Sequence, residues 1–307
     1  MINHSRTVGA TSDEGGALYT AGPMSLPSLE GKVALITGAN TGIGKVTATG
    51  LARAGAHVIL ACRSQARAEP VVEEIRRETG STRVEFVPLD LASLASVRAC
   101  AADFLHRDQP LHLLINNAGL AGQRGLTADG FELTFGVNHL GHFLLTTLLL
   151  DRIKAAAPAR IVTVASQAHY RTRRIPWERL REPTRTMTGL GEYGVSKLAN
   201  VLFSAELARR LDGSGVTTYS LHPGVIASDI WRRIPGPLRV VAKAFMGSTD
   251  DGAKTSLYCS TSPEVAEQTG LYYDSCQVRR PGRAAQDTQL AAELWTRSVD
   301  WTALAGG

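Results

Sequence analysis

A serine, a tyrosine and a lysine are spaced in this chain so that together they could reduce a carbonyl or oxidise an alcohol. Tyr193 and Lys197 stand four residues apart in a helical segment, which places both side chains on one helix face. A phenol has a pKa near about 10 and needs a nearby cation to exchange a proton at neutral pH. Lys197 would provide that cation. Ser166 would hold the substrate oxygen, and Tyr193 would give it a proton while a hydride donor reduces the carbon.

An asparagine inside an apolar segment is the fourth candidate catalytic residue. Asn138 lies in the pattern of a long buried helix over 131–156, where an amide without hydrogen-bonding partners is costly. It is therefore either a structural hydrogen-bonding residue or part of a proton path, in which it could anchor a water molecule linking Lys197 to solvent. Its neighbours His139 and His142 have no third ligand candidate nearby, so we interpret them as packed or surface imidazoles.

A glycine-rich turn near the start of the chain would position a dinucleotide beside these residues. The stretch 37–44, TGANTGIG, joins the apolar run 33–36 to a helical segment, as the phosphate-binding turn of a Rossmann unit does. Glycines let the backbone turn tightly and approach the pyrophosphate, and the helix amides then face the phosphates. Glycine spacing alone is a weak signal, which the downstream residues strengthen. The residues predicted to contact the cofactor in this turn are Gly38, Asn40, Thr41, Gly42, Ile43 and Gly44.

Short β-branched runs alternate with longer helical patterns from Val33 onward, which is typical of a parallel sheet covered on both faces. The runs are almost entirely apolar, as strands buried on both faces are. We predict strands at 33–37, 57–61, 84–88, 111–116, 160–165, 216–221 and 270–273. The predicted fold class is α/β: a single-domain Rossmann fold over 31–300, with a doubly wound seven-stranded parallel sheet and helices on both faces.

The second and third strands end in candidate residues for the adenosine half of the cofactor. Arg63 follows the second strand where an acid would bind the ribose hydroxyls of NAD, and a guanidinium suits the 2′-phosphate of NADP. We therefore predict NADP. Asp90 and Leu91 close the third strand, where the carboxylate could bond the adenine or cap the next helix near Ser93.

Two further strand ends would let the backbone pass close to the cofactor. The fourth strand ends in the sequence NNAG over 116–119, whose asparagines could fix the turn between strands. The sixth ends in HPG over 222–224, and this loop could flank the nicotinamide. A plain turn is the alternative in both places. The predicted cofactor residues here are Asn117, Ala118, Gly119, Pro223, Gly224 and Ser228, together with Tyr193 and Lys197.

Composition argues against several other classes of protein. The net charge of +5 comes without a basic stripe interleaved with aromatic residues, so nucleic-acid binding is not favoured. The four cysteines form no close CxxC pair, which favours reduced, mostly buried thiols in a cytoplasmic protein over a metal site. Residues 1–30 are polar and glycine-rich, and we expect a disordered leader. The longest apolar run, 143–150, is far short of the roughly 20 residues of a membrane span, so no transmembrane segment is expected.

With these motifs in place, the chain resembles the short-chain dehydrogenase/reductase superfamily. The stretches TGANTGIGK, ACR, LDL, NNAG, GFELTFGVNHLGHFLLT, YGVSKLAN, FSAELARRL and HPG are most similar to the retinol dehydrogenase group and to the catalytic part of WW-domain-containing oxidoreductases. The resemblance implies catalytic roles for Asn138, Ser166, Tyr193 and Lys197 and an NADP-type site. The helices at 131–156 and 191–211 form dimer or tetramer faces in many relatives, so a homodimer or homotetramer is one expectation; the alternative is that the apolar run 143–150 is buried within one subunit. The polar leader departs from the N-terminal membrane segment that many retinol dehydrogenases carry.

Two segments that shape substrate choice in the family are the least family-like here. The segment 167–190 holds six arginines from Arg171 to Arg185 against two glutamates. It is either a solvated loop or a receiver for an acidic substrate or carrier, such as a carboxylate, a coenzyme A ester or an acyl carrier protein. The segment 229–249 mixes bulky apolar and basic residues, and it would form a lid over the substrate or contact a membrane surface.

The sequence thus predicts an NADP(H)-dependent oxidoreductase that reduces a hydrophobic ketone or aldehyde, or oxidises the corresponding alcohol. A secondary metabolite is one candidate substrate. The alternatives are cyclisation, dehydration or epimerisation on the same scaffold, and a non-catalytic NADP-binding sensor.

Overall fold

The computed structural model describes residues 26–224 and 249–303, and these residues form one twisted sheet with helices on both faces. Seven strands run parallel in the order β3-β2-β1-β4-β5-β6-β7. Their bounds are β1 Val33–Thr37, β2 His57–Cys62, β3 Val84–Pro88, β4 Leu113–Asn116, β5 Ala159–Val164, β6 Val216–His222 and β7 Leu271–Asp274. The strand order reverses between β1 and β4, and open α/β sheets bind ligands at the carboxyl edge beside such a reversal. The predicted fold class is confirmed.

The predicted strand count is wrong by one, because β8 at Gln277–Val278 pairs antiparallel with β7. Its two residues are exposed and lack the apolar pattern that marks the other strands. The turn between β7 and β8 holds Ser275 and Cys276 at φ values of 54° and 60°. Both residues are thus left-handed, as a two-residue hairpin turn requires, but neither is the glycine or asparagine that usually signals one.

The described helices are α1 Gly42–Arg53, α2 Gln65–Thr79, α3 Leu94–His106, α4 Leu133–Phe135, α5 Gly141–Leu148, α6 Leu150–Ala155, α7 Leu190–Arg210, α8 Thr249–Thr261 and α9 Thr288–Trp301. One apolar core joins α1, α2 and α8 to a face of the sheet. A second core joins α3, α5, α6 and α7 to the opposite face, and α9 packs against α7. Helices on both faces explain why the strands are apolar on both sides.

The single helix predicted over 131–156 is divided into α4, a π-helical turn at Gly136–Leu140, α5 and α6. Two glycines in this region make close contacts. A Cβ on Gly136 would lie 2.3 Å from Thr127 Cγ2, and one on Gly141 would lie 2.8 Å from the Leu91 carbonyl oxygen. The wide turn between them holds Asn138, and π turns often occur at functional sites.

The apolar run 143–150 packs inside the chain, where Phe143, Leu144 and Leu145 are fully buried. All four cysteines are free thiols, of which three are buried, as predicted. Across 26–224 and 249–303, no helix is long and apolar enough to cross a membrane. Most of the predicted leader, Ser228 and nearly all of the segment 229–249 lie outside the described residues.

Candidate functional site

A cavity of about 1110 Å³ opens at the carboxyl edge of the sheet. It is lined by the loops after β1 to β6 and by the first two turns of α7. Every predicted catalytic or cofactor residue that the structure describes lines this cavity, with the exception of Asn138. The strand ends bring together residues that are more than 180 positions apart in the chain, from Gly38 to Gly224.

The glycine-rich turn leaves bare backbone where the cavity meets β1. Gly38 and Gly42 have φ values of 66° and 56°, a left-handed conformation that favours glycine. A Cβ on Gly44 would lie 2.5 Å from Asn117 Nδ2 and 2.7 Å from the Gly38 carbonyl oxygen. A Cβ on Gly42, in contrast, would meet nothing within 4 Å. This is the shape that a dinucleotide phosphate needs at the N-terminus of α1.

The NNAG stretch is tied to the glycine-rich turn through Thr37, the last residue of β1. Thr37 Oγ1 accepts hydrogen bonds from the amides of Asn117 at 3.0 Å and Ala118 at 2.9 Å. Asn117 Nδ2 donates to the Thr37 carbonyl oxygen at 2.8 Å. The asparagine therefore fixes the turn between strands, which was one of the roles predicted for it.

Arginines dominate the charge at the end of the cavity beside β2. Arg63 lines the cavity directly after β2, and Arg67 joins it from the first turn of α2. Asp90 is the one carboxylate among the lining residues of the described chain. Its side chain accepts from the Ala92 amide at 3.0 Å, while Ser93 caps α3. The helix cap is therefore Ser93, and the Asp90 carboxylate is left at the cavity wall.

Ser166, Tyr193 and Lys197 converge at the middle of the cavity. A side-chain hydrogen bond joins Ser166 to Tyr193, and Lys197 Nζ lies 5.6 Å from the centre of the tyrosine ring. Lys197 Nζ donates to the Val164 carbonyl oxygen at 2.8 Å. Burial raises the pKa of Tyr193, which the bond to Ser166 opposes, and burial lowers the pKa of Lys197 to about 7. The three groups can together hold an oxygen atom and move a proton to or from it.

Asn138 lies behind this group with its amide engaged by protein atoms. Its Oδ1 accepts from the Leu120 amide at 2.9 Å, and its Nδ2 donates to the Leu120 carbonyl oxygen and to Ser196 Oγ, both at 3.0 Å. Ser196 Oγ in turn donates to the Tyr193 carbonyl oxygen at 2.8 Å. These contacts correspond to the structural alternative: Asn138 joins the loop after β4 to the first turns of α7. A proton path through Asn138 stays a prediction.

The two histidines beside Asn138 are packed in the core and are not surface imidazoles. His142 Nε2 lies 2.8 Å from Thr37 Oγ1, and His139 Nε2 lies 3.0 Å from Ser298 Oγ. Burial lowers the pKa of His139 to about 3 and that of His142 to about 4, so both are neutral at pH 7. The described residues contain no group of three or more potential metal ligands.

Several residues that line the cavity have no role predicted from the sequence. His222 is buried at the wall, and neither of its ring nitrogens has a hydrogen-bonding partner in the described chain. Arg67, Tyr170 and Arg171 also line it. Two sequence features could have identified residues of this wall. His222 belongs to the HPG stretch, and Arg67 follows Arg63 by four residues.

The chain is similar in sequence and in fold to known proteins. Residues 32–177 match a family model described as short chain dehydrogenase. The chain is 46% identical over 275 residues to retinol dehydrogenase 12 of Homo sapiens, an alignment that covers 89% of this chain and 86% of that protein. A crystal structure of an uncharacterised protein from Mycobacterium paratuberculosis superposes with a TM-score of 0.73 at 36% identity, covering 91% of this chain and 96% of the other.

The chain belongs to the short-chain dehydrogenase/reductase family, and within it the chain is similar to the retinol dehydrogenase group. It is an oxidoreductase of alcohol and carbonyl groups that uses a nicotinamide dinucleotide. A 3-ketoacyl-(acyl-carrier-protein) reductase from Brucella melitensis, solved in complex with NADH, has the same fold, with a TM-score of 0.64 at 27% identity, covering 80% of this chain and 97% of that one.

Proposed function

We propose that the protein is an NADP(H)-dependent reductase of a ketone or aldehyde on an apolar substrate, able to oxidise the corresponding alcohol. The observation that carries this proposal is the convergence of Ser166, Tyr193 and Lys197 in one cavity beside the glycine-rich turn. Four free thiols, three of them buried, support a reducing compartment, and we propose the cytoplasm.

The dinucleotide fits the residues at the β1 end of the cavity. The backbone of 38–44 would hold the pyrophosphate, and Asn117 would keep that backbone in place. Arg63 and Arg67 would bind the 2′-phosphate that distinguishes NADP from NAD, because guanidinium groups make forked bonds to phosphate oxygens. The Asp90 carboxylate would bond the adenine. When bound in the reduced form, the nicotinamide supplies the hydride.

The side chains at the middle of the cavity would handle the substrate oxygen and its proton. Ser166 Oγ and Tyr193 Oη hold the carbonyl oxygen, and the Tyr193 hydroxyl donates its proton to that oxygen as the carbon gains the hydride. The C=O group thereby becomes CH–OH. The phenolate left on Tyr193 is stabilised by the Lys197 ammonium, which lies close enough to favour the charged form. The buried position of both groups strengthens this interaction.

Calorimetric titration with NADPH and with NADH tests the cofactor. We expect NADPH to bind more tightly, and we expect Arg63→Ala to weaken NADPH binding at least about tenfold while leaving NADH affinity unchanged. Arg77→Ala is the matched control, because Arg77 is an exposed arginine of α2 that does not line the cavity. Equal affinity for both nucleotides, or a preference for NADH, would contradict the assignment of Arg63.

The type of reaction is tested by the stoichiometry of NADPH oxidation with a panel of apolar ketones and aldehydes. A reductase consumes one NADPH for each alcohol formed. Cyclisation, dehydration or epimerisation would convert substrate without net NADPH loss. A non-catalytic sensor would bind NADPH and oxidise none in the presence of any carbonyl compound.

A further inference from the structure

Three loops at the cavity, which we call its mouth, carry a large excess of positive charge. The loops 120–130 and 167–190 line the cavity, and the loop 275–283 packs on the second of them. Together the three loops contain ten arginines and three carboxylates. They contact one another: Tyr170 Oη donates to the Arg280 carbonyl oxygen at 2.9 Å, and Arg124 Nε donates to the Thr184 carbonyl oxygen at 3.3 Å. A surplus of one sign beside a concave site attracts ligands of the opposite sign.

The arginines of these loops fall into two groups, according to whether a carboxylate neutralises them. Arg179 and Arg185 each have an acidic partner, Glu178 at 3.9 Å and Glu182 at 3.4 Å. Eight others are exposed and have no carboxylate partner within 26–224 and 249–303, and two of these, Arg124 and Arg181, donate to backbone carbonyl oxygens. The other six form the unpaired group. They are Arg171, Arg173, Arg174, Arg279, Arg280 and Arg283.

Arg171 is the member of this unpaired group that lines the cavity. It ends the 3₁₀ helix Gln167–Arg171, which is capped by Ser166, whose Oγ accepts from the Ala168 amide at 3.2 Å. At a rise of about 2.0 Å per residue, the five residues from Ser166 to Arg171 span about 10 Å. The helix thus separates the backbone positions of Ser166 and Arg171 by about 10 Å, and the exposed Arg171 side chain extends from the far end.

Exposed apolar side chains lie on the same three loops. Five large hydrophobic residues are exposed in the described chain, and all five lie in these loops. They are Leu126, Tyr170, Met187, Leu190 and Val278. Tyr170 and Leu190 also line the cavity. Because exposed hydrophobic residues at a concave site favour apolar ligands, the cavity suits a ligand with an apolar body.

We propose that this mouth is an anion subsite, in which Arg171 binds a carboxylate or phosphate about 10 Å from the carbonyl group of an otherwise apolar substrate. The five other unpaired arginines raise the local concentration of such a substrate. This inference rests on the proposed redox function, because Ser166 is taken as the group that holds the carbonyl oxygen.

A pair of probes that differ only in charge tests the subsite by binding as well as by turnover. The ten-carbon ω-oxo acid and its methyl ester share the aldehyde and the chain. We would titrate each into the protein saturated with NADP⁺, and separately measure reduction with NADPH. The test variant is Arg171→Gln/Arg173→Gln/Arg174→Gln, and the matched control is Arg179→Gln/Arg185→Gln, which removes two paired arginines of the same loop.

The acid should bind at least about tenfold more tightly than the ester, and its KM should be lower by a similar factor. The preference should be lost in the triple variant, retained in the control and weakened by high salt. The single variant Arg171→Lys should keep part of the preference for the acid over the ester. The ten-carbon ω-oxo alkyl phosphate against the matching neutral ω-oxo alcohol distinguishes a phosphate from a carboxylate as the anion.

Equal affinity of the wild-type protein for acid and ester, with no preference for the alkyl phosphate over the alcohol either, would overturn the anion subsite. A preference that persists in the triple variant would overturn the role of these arginines. If the acid is preferred but no NADPH is oxidised, the subsite stands as a binding site and the proposed reductase function fails.

Discussion

Replacing the buried Lys197 should stabilise the protein while abolishing its activity. The side chain is almost fully buried, and burial lowers its pKa from the ordinary 10.5 to about 7. At about 1.36 kcal/mol per pH unit, holding the ammonium in place costs roughly 5 kcal/mol of unfolding free energy below pH 7. Its hydrogen bond to the Val164 carbonyl oxygen stabilises the folded state by about 2 kcal/mol and so offsets part of this cost. That oxygen keeps a second donor, Asn200 Nδ2 at 3.2 Å.

Lys197→Met should therefore raise the unfolding free energy by about 3 kcal/mol at pH 6. Between the folded pKa of about 7 and the unfolded value of 10.5, the unfolded chain holds more protons, so the wild-type protein gains stability as the pH rises. The advantage of the variant should shrink through this window and vanish near pH 10. Urea unfolding of both proteins at pH 6, 8 and 10 without nucleotide measures this difference in unfolding free energy.

Lys154→Met is the matched control, because Lys154 is exposed on α6 and lies 3.8 Å from Asp151. Its effect should be small, because an exposed ion pair contributes little to stability. A Lys197→Met variant that is less stable than wild type by the same amount at pH 6 and pH 10 would refute the reasoning, since the cost of the buried charge would then be absent.

Three other variants or treatments have outcomes that follow from single contacts. Gly44→Ala places a Cβ 2.5 Å from Asn117 Nδ2, so nucleotide affinity measured by calorimetry should fall at least about tenfold. Asn138→Ala removes the partners of the Leu120 amide and carbonyl oxygen and one of the two bonds of Ser196 Oγ, and urea unfolding should show a loss of roughly 3 kcal/mol. Iodoacetamide should modify Cys276 in the native protein and spare the three buried thiols, as mass spectrometry of the digested protein would report.

The fold and the catalytic group could be predicted because their signals are local. Most of the parallel strands are apolar runs, and most of the candidate site residues stand at strand ends or at the spacing of one helical turn, as Tyr193 and Lys197 do. Once the topology is known, the shared edge of the sheet brings these ends together. Seven parallel strands and seventeen described residues of the cavity were therefore predicted from apolar runs, strand-end motifs and the family resemblance.

The remaining features depend on contacts between distant parts of the chain. The break at Gly136–Leu140 follows from what Gly136 and Gly141 touch, and an apolar pattern does not reveal such contacts. Nothing in the sequence near Asn138 indicates that Leu120 and Ser196 would take up its amide. Likewise, Arg280 reaches the mouth of the cavity through a contact with Tyr170, 110 residues earlier.

Tyr193→Phe tests the central claim most directly, because it removes one hydroxyl and leaves the ring buried beside Lys197. Tyr258→Phe is the matched control, since Tyr258 lies on α8 and bonds Glu264 away from the cavity. We predict that Tyr193→Phe lowers the rate of NADPH-dependent carbonyl reduction by at least about a hundredfold with NADPH affinity unchanged, and that the control keeps both. Undiminished reduction in Tyr193→Phe would contradict the account, because another group would then supply the proton.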